Sequence, residues 1–161
     1  MVETGDDAPD FTASFVTDEL APFRLSEHLG KGPVVLAFFP AAFSGTCTDE
    51  MRALRDGIER FGPETTVFGV STDLPHALRA YREQYDLPFP LVADPDHRAV
   101  EAYDVVSDFE RYGVDVVARR AVFVIDADGT VTYRWLADDP GQEPDYGALV
   151  DAIPGSTASS D

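Results

Sequence analysis

The sequence predicts an α/β fold in which a central mixed sheet, with parallel and antiparallel strands, is flanked by helices. Three observations predict it. Val34 to Phe39 is a run of six apolar residues, the length and composition of a strand buried on both faces. A helix-period pattern follows, with Met51, Leu54, Ile58 and Phe61 at i, i+3, i+7 and i+10, and after the Gly62-Pro63 break the stretch 65–71 supplies a second strand. Strand, helix and strand make a βαβ unit, so the two strands should lie parallel with a right-handed crossover. A later apolar run, 121–126, turns at Asp126-Ala127-Asp128-Gly129 and returns over 130–136 as a hairpin, which adds antiparallel members.

Each element can be justified in order. Phe11 to Phe15 alternates like a strand, and Arg24 to Gly30 reads as a short helical turn closed by glycine. His28 within it has no partner at metal-ligand spacing and is read as a surface residue. Pro40 stops the first buried strand. Thr46 with Asp49 three residues on is a capping-box-like start signal, with Asp in place of Glu or Gln, which puts Cys47 in the first turn of the helix. A second helix, 75–85, opens with Pro75 at an N1-like position after Asp73. The stretch 87–94 holds Pro88 and Pro90 and is read as a rigid connector rather than a central strand, before a short helix at about 97–103. Residues 105–117, with Phe109, Tyr112 and Gly113, suit a loop near the site or a dimer contact equally well. The Asp-x-Asp-Gly string lacks the later liganding positions and closing Glu of a calcium loop, so it is a turn. Residues 145–153 form a last helix. One domain is expected over 1–154, with 155–161 a disordered polar tail.

Composition removes several function classes. Thirty acidic residues stand against twelve basic ones, of which only Lys31 is lysine, for a net charge of −18. A surface this negative repels phosphate, so no nucleic acid is expected as a partner. The charge is spread along the chain rather than held in one tail, which fits a salt-adapted (halophilic) host, since at ~1 M salt the Debye length is ~3 Å and self-repulsion is screened. No apolar run approaches the ~20 residues of a membrane helix, and the acidic N-terminus does not look like a secretory signal. Cys47 is the only cysteine, so no intramolecular disulfide can form. That suits a reducing compartment, and a cytoplasmic location is expected.

Cys47 is the residue with chemical reach. The first turn of a helix presents unpaired N–H groups and the positive end of the helix dipole, and both favour a thiolate, the nucleophilic form. A lone cysteine is ordinarily a small buried hydrophobe. Its neighbours here, Ser44, Gly45, Thr46 and Thr48, are small or hydroxyl-bearing rather than a packing set.

These residues carry a resemblance. Pro40-Ala41-Ala42-Phe43-Ser44-Gly45-Thr46-Cys47 resembles the peroxiredoxin signature, a proline, a Thr or Ser four residues on, and the peroxidatic cysteine three further. Glu50 falls at an acidic position common in that family. Phe38-Phe39-Pro40-Ala41-Ala42-Phe43-Ser44-Gly45 is most similar to the one-cysteine, alkyl hydroperoxide reductase E-like members, with Ser44 for the commoner Thr. Gly5 to Phe11 resembles the family's opening, and the likeness extends from about Gly5 to Ile153. It implies a thioredoxin-like fold and a homodimer or higher homo-oligomer through the edge of the site, near Phe43.

The chemistry implied is thiol-dependent reduction of hydrogen peroxide or an organic hydroperoxide. Cys47 attacks the peroxide and becomes a sulfenic acid. Ser44 and the backbone N–H groups from Gly45 through Thr46 to Cys47 hold the oxygens, and Pro40 shields the thiolate from water. The positive field on the departing oxygen should come from an arginine. Arg120-Ala121-Val122-Phe123 matches the family's Arg-x-x-Phe pattern before the late strand, which selects Arg120 and leaves Arg119 as an ordinary solvated charge. Glu50, one turn from Cys47, is expected to hold Arg120 in place. The sulfenic acid must be reduced by an external thiol or a redoxin protein. No metal and no cofactor are expected, since His28, His76 and His97 show no ligand spacing. A disulfide exchanger would need a second cysteine where Glu50 stands. The rival is a redox-inactive or chaperone-like scaffold on the same fold, which has no use for Pro40, Ser44, Cys47 and Arg120 together.

Overall fold

The computed structural model describes residues 2–109, 113–139 and 141–154. Tyr112 and the tail expected over 155–161 lie outside the described residues. Among the described residues, nine strands and four α-helices follow in order: β1 (Thr12–Val16), β2 (Leu20–Arg24), β3 (Val34–Phe38), α1 (Gly45–Gly57), β4 (Thr66–Ser71), α2 (Pro75–Gln84), β5 (Leu91–Ala93), α3 (Arg98–Ala102), β6 (Val106–Phe109), β7 (Val114–Ala118), β8 (Ala121–Ile125), β9 (Val131–Leu136) and α4 (Tyr146–Ala152). Seven strands make one sheet in the order β2-β1-β5-β4-β3-β8-β9, and β6 pairs with β7 apart from it. As expected, β3 and β4 are parallel and β8 and β9 form an antiparallel hairpin. The sheet is mixed because β8 joins β3 antiparallel on its other side.

Every residue of β3 and β8 is buried, and the strand period sorts them to two faces. Val35, Ala37, Val122 and Val124 face one layer with Cys47, Met51 and Leu54 of α1, Leu78 and Tyr81 of α2, and Leu149 and Val150 of α4. Leu36, Phe38, Phe123 and Ile125 face the other, with Ala99 and Val100 of α3, Phe11 and Phe23. Gly69 on β4 belongs under α1. A Cβ there would lie 2.7 Å from Leu91 Cδ2 and 3.3 Å from the Met51 sulfur, so its bare backbone makes room for the Met51 side chain of α1 and the Leu91 side chain of the neighbouring strand.

Three expectations are corrected. The proline-rich stretch does contain a central strand, because Leu91–Ala93 pairs antiparallel with β1 and parallel with β4. Pro88 and Pro90 precede the paired residues, and Pro90 still uses its carbonyl to accept from Gly69 N–H, so neither interrupts a ladder. Helix α1 starts at Gly45 with Ser44 at the N-cap, ahead of the Thr46 signal, and the Ser44 side chain caps nothing. His28 is half-buried rather than a surface residue: its ring stacks on Phe23 at 4.9 Å and meets Phe15 and Phe68 at 5.4 and 5.2 Å. Burial in that aromatic set disfavours its charged form and lowers its pKa. Within 105–117, left open between a loop and a dimer contact, Val106–Phe109 and Val114–Ala118 pair antiparallel as β6 and β7, and Leu20–Arg24, not foreseen as a strand, pairs with β1 at the sheet edge, where Pro22 is tolerated.

Candidate active site

The site gathers at the C-terminal end of β3. Phe39 continues the strand by donating its N–H to the Val70 carbonyl at 2.9 Å, and the buried Pro40 ends it. The chain must then reverse into α1. It does so through Phe43, held at φ +67° in the left-handed region that L-residues seldom adopt. The turn is held from outside by Asp73, whose Oδ2 accepts from the Ala42 N–H and from the Ser71 hydroxyl, both at 2.8 Å. The Ser44 hydroxyl donates to the Ala41 carbonyl at 3.0 Å, which leaves its oxygen lone pairs directed away from that bond.

Gly45, Thr46 and Cys47 occupy the first turn of α1, so their N–H groups have no acceptor within the helix. The first ladder bond is the Thr48 N–H to the Ser44 carbonyl at 3.0 Å. Cys47 is a free thiol and fully buried. Its sulfur is met by Arg120, the residue before β8, whose Nη2 donates to Sγ at 3.3 Å. Nη1 of the same guanidinium donates to Glu50 Oε1 at 2.8 Å, with the two side chains 1% and 0% exposed. Cys47 and Glu50 stand three residues apart on α1, which brings both to one face and lets a single planar fork address them.

The electrostatics of this trio follow from burial. Enclosure pushes the Glu50 carboxyl up to about 7, with Arg120 opposing that rise and the more distant Glu143 adding to it. Arg120 stays cationic: burial works against its charge, but Glu50 and Cys47 outweigh it and raise its pKa. Above pH 7 the pair is therefore ionic, and it lies against the sulfur. Thr48 Oγ1 accepts from the buried Tyr81 hydroxyl at 3.2 Å, which pins the far side of the same turn to α2.

Of the residues singled out in the sequence, Arg120 touches both Cys47 and Glu50, Ser44, Gly45 and Thr46 frame the turn that presents the sulfur, and Pro40 ends the strand beneath it. Arg119 departs from the solvated charge expected. It is half-buried, because its Nε donates to the Ala137 carbonyl at 2.7 Å. Together with Pro40, Arg120, Ser107, Ala137, Asp138 and Asp139 it lines a cleft of about 80 Å³ beside the site. Asp73 and Tyr81 were missed. Asp73 sits two residues past a strand-ending serine, a local turn signal that says nothing about the loop 31 residues earlier.

Among the described residues, no group of three or more His, Cys, Asp or Glu is placed to hold a metal, and no helix is long and apolar enough to cross a membrane. Residues 4–134 match the AhpC/TSA family. The chain is 31% identical over 161 residues to alkyl hydroperoxide reductase E of Mycobacterium bovis, covering 98% of this chain and 100% of that protein. It is 32% identical over 136 residues to peroxiredoxin Bcp of Bacillus subtilis, covering 83% of this chain and 85% of that one. Among solved structures, peroxidoxin BcpB from Mycobacterium tuberculosis superposes with a TM-score of 0.77 at 30% identity, covering 86% of this chain and 88% of its own. Family match, identity and superposition agree over most of the length, and the chain belongs to the AhpC/TSA family, that of the peroxiredoxins.

Proposed function

We propose that this peroxiredoxin runs its thiol-dependent peroxidase reaction through Cys47. The Cys47 thiolate attacks the terminal oxygen of hydrogen peroxide or an organic hydroperoxide along the O–O axis. The O–O bond breaks, the leaving oxygen takes a proton and departs as water or alcohol, and Cys47 becomes a sulfenic acid. Negative charge moves from sulfur to the departing oxygen during this step. Arg120 and the N–H groups of Gly45, Thr46 and Cys47 stabilise it there, and the Ser44 hydroxyl orients the peroxide. Pro40 keeps bulk water from the sulfur. Glu50 is a positioning residue, acting through Arg120. The sulfenic acid returns to thiolate at the expense of an external thiol.

The observation that carries this reading is the Arg120 guanidinium, 3.3 Å from the Cys47 sulfur and braced by a 2.8 Å ion pair to Glu50. A scaffold would gain nothing from burying that pair, since a buried salt bridge is rarely worth its desolvation. We extend the proposal to a homodimer that uses the exposed Phe43, and to the cytoplasm of a salt-adapted cell, which the net charge of −18 supports.

The direct test mixes reduced protein with hydrogen peroxide in molar salt and follows Trp135, which packs against the layer containing Cys47. A fast phase that saturates at one equivalent and vanishes in Cys47→Ser is expected. Absence of sulfenic or over-oxidised Cys47 by mass spectrometry under excess peroxide would overturn the reading and favour the scaffold.

A further inference from the structure

The cleft beside the site contains charges of both signs that are not joined. Arg119 contributes a guanidinium whose only hydrogen bond among the described residues is from Nε to Ala137, so its terminal nitrogens are unspent. Asp138 and Asp139 line the same cleft from the loop after β9, are exposed, and make no ion pair with Arg119. Asp139 spends Oδ1 on the Gly141 N–H at 2.9 Å, whereas the Asp138 carboxylate accepts no bond among the described residues. Ser107 adds a hydroxyl. The inner wall is Pro40 and Arg120, and Arg120 is itself in contact with the Cys47 sulfur.

Size narrows the occupant further. At ~10–15 Å³ for each water-sized group, a cleft of about 80 Å³ holds roughly five to eight heavy atoms. Cys47 is fully buried and does not line the cleft, and the link between the two is Arg120, which forms the inner wall and contacts the sulfur.

We propose that this cleft seats the reductant, and that the reductant is a low-molecular-weight aminothiol carrying both a carboxylate and an ammonium group. The carboxylate is held by Arg119, the ammonium by Asp138 and Asp139, and the thiol is directed inward past Pro40 and Arg120. The inference rests on Cys47 being the peroxidatic residue. In the first step the aminothiol sulfur attacks the Cys47 sulfenic sulfur: an S–S bond forms, the S–O bond breaks, and the oxygen leaves as water with the thiol's proton. A second aminothiol then attacks the small-molecule sulfur of that mixed disulfide and expels the Cys47 thiolate. Cys47 is reduced by two electrons, and two thiols leave as one disulfide.

The experiment separates the two readings. Cys47 is first oxidised with one equivalent of hydrogen peroxide and its sulfenic acid trapped with dimedone in a parallel sample. The remainder is mixed with free cysteine, cysteamine or 3-mercaptopropionate at matched thiolate concentration, and loss of the sulfenic acid is timed. Cysteine should act about tenfold faster than either singly charged thiol, the effect of one charge-assisted contact. Arg119→Ala should bring cysteine down to the cysteamine rate, and Asp138→Asn, an exposed change that keeps shape, should lower the advantage of cysteine over 3-mercaptopropionate. If no sulfenic acid forms, the peroxidase reading fails. If it forms and all three thiols act alike, if neither variant changes their order, or if only a redoxin protein removes it, the reductant inference fails and the peroxidase reading stands.

Discussion

Arg120 and Glu50 face each other at 2.8 Å with both side chains closed to water, so the charge offered to Cys47 is held by a partner that cannot be replaced by solvent. Removing Arg120 takes away the proposed transition-state donor and strands a buried carboxylate. Arg120→Ala should slow sulfenic acid formation by about 10²–10³-fold, and the stranded carboxylate should cost about 3–5 kcal/mol. Arg120→Ala with Glu50→Gln should recover most of the stability and none of the rate. Urea denaturation and peroxide stopped flow on the four forms of that cycle would check both halves.

The pH dependence of stability has a defined sign. Glu50 rises from 4.5 unfolded to about 7 folded, so between those values the folded state keeps a proton the unfolded chain has released. Its contribution is whole below pH 4.5 and is lost as pH rises through about 7. At about 1.4 kcal/mol per unit of pKa difference, wild type should lose on the order of 3 kcal/mol relative to Glu50→Gln across that window. Urea midpoints of both proteins at pH 5 and pH 8 measure it. A gap that widens in favour of wild type as pH rises would contradict the assignment.

Asp73 is expected to matter without touching the chemistry. Its carboxylate holds the Ala42 N–H and the Ser71 hydroxyl, and Asp73→Ala should release the turn that leads into Cys47. We expect about tenfold slower oxidation of Cys47 for a stability loss of about 1–2 kcal/mol. Asp73→Asn keeps an acceptor and should restore part of the rate. Equal rates in all three would show that the turn is held by other means.

With a charge of −18, salt is expected to stabilise the fold. Thermal unfolding in 0.1 M and 2 M potassium chloride should give a higher midpoint in the second, because screening relieves repulsion among carboxylates. A maximum near 0.1 M would remove the salt-adapted reading.

Phe43 and Leu74, 49% and 64% exposed, stand on loops tied together by the Ala42–Asp73 bond. An apolar pair there suits a subunit contact. Phe43→Asp should convert a dimer to a monomer by light scattering, and Asp tolerates the left-handed backbone of this position better than Phe does. An unchanged mass would place any dimer contact elsewhere.

Much of this was written locally. The apolar run of β3, the period of α1 and the small loop between them are contiguous, so the position of Cys47 in a first helical turn was legible without the rest of the chain. The parallel β3–β4 pair followed from the crossover rule. What only the tertiary structure decided lies where partners are distant in sequence. Leu91–Ala93 is too short to show a period, and becomes a central strand because β1 and β4 flank it. Asp73 reaches back 31 residues to the site turn, and Arg120 crosses 73 residues to the sulfur. Family register favours Arg120 over Arg119, and the two side chains do take different directions. Adjacent side chains at the start of β8 diverge, so one guanidinium is buried on Cys47 and Glu50 while the other turns to Ala137 and the cleft.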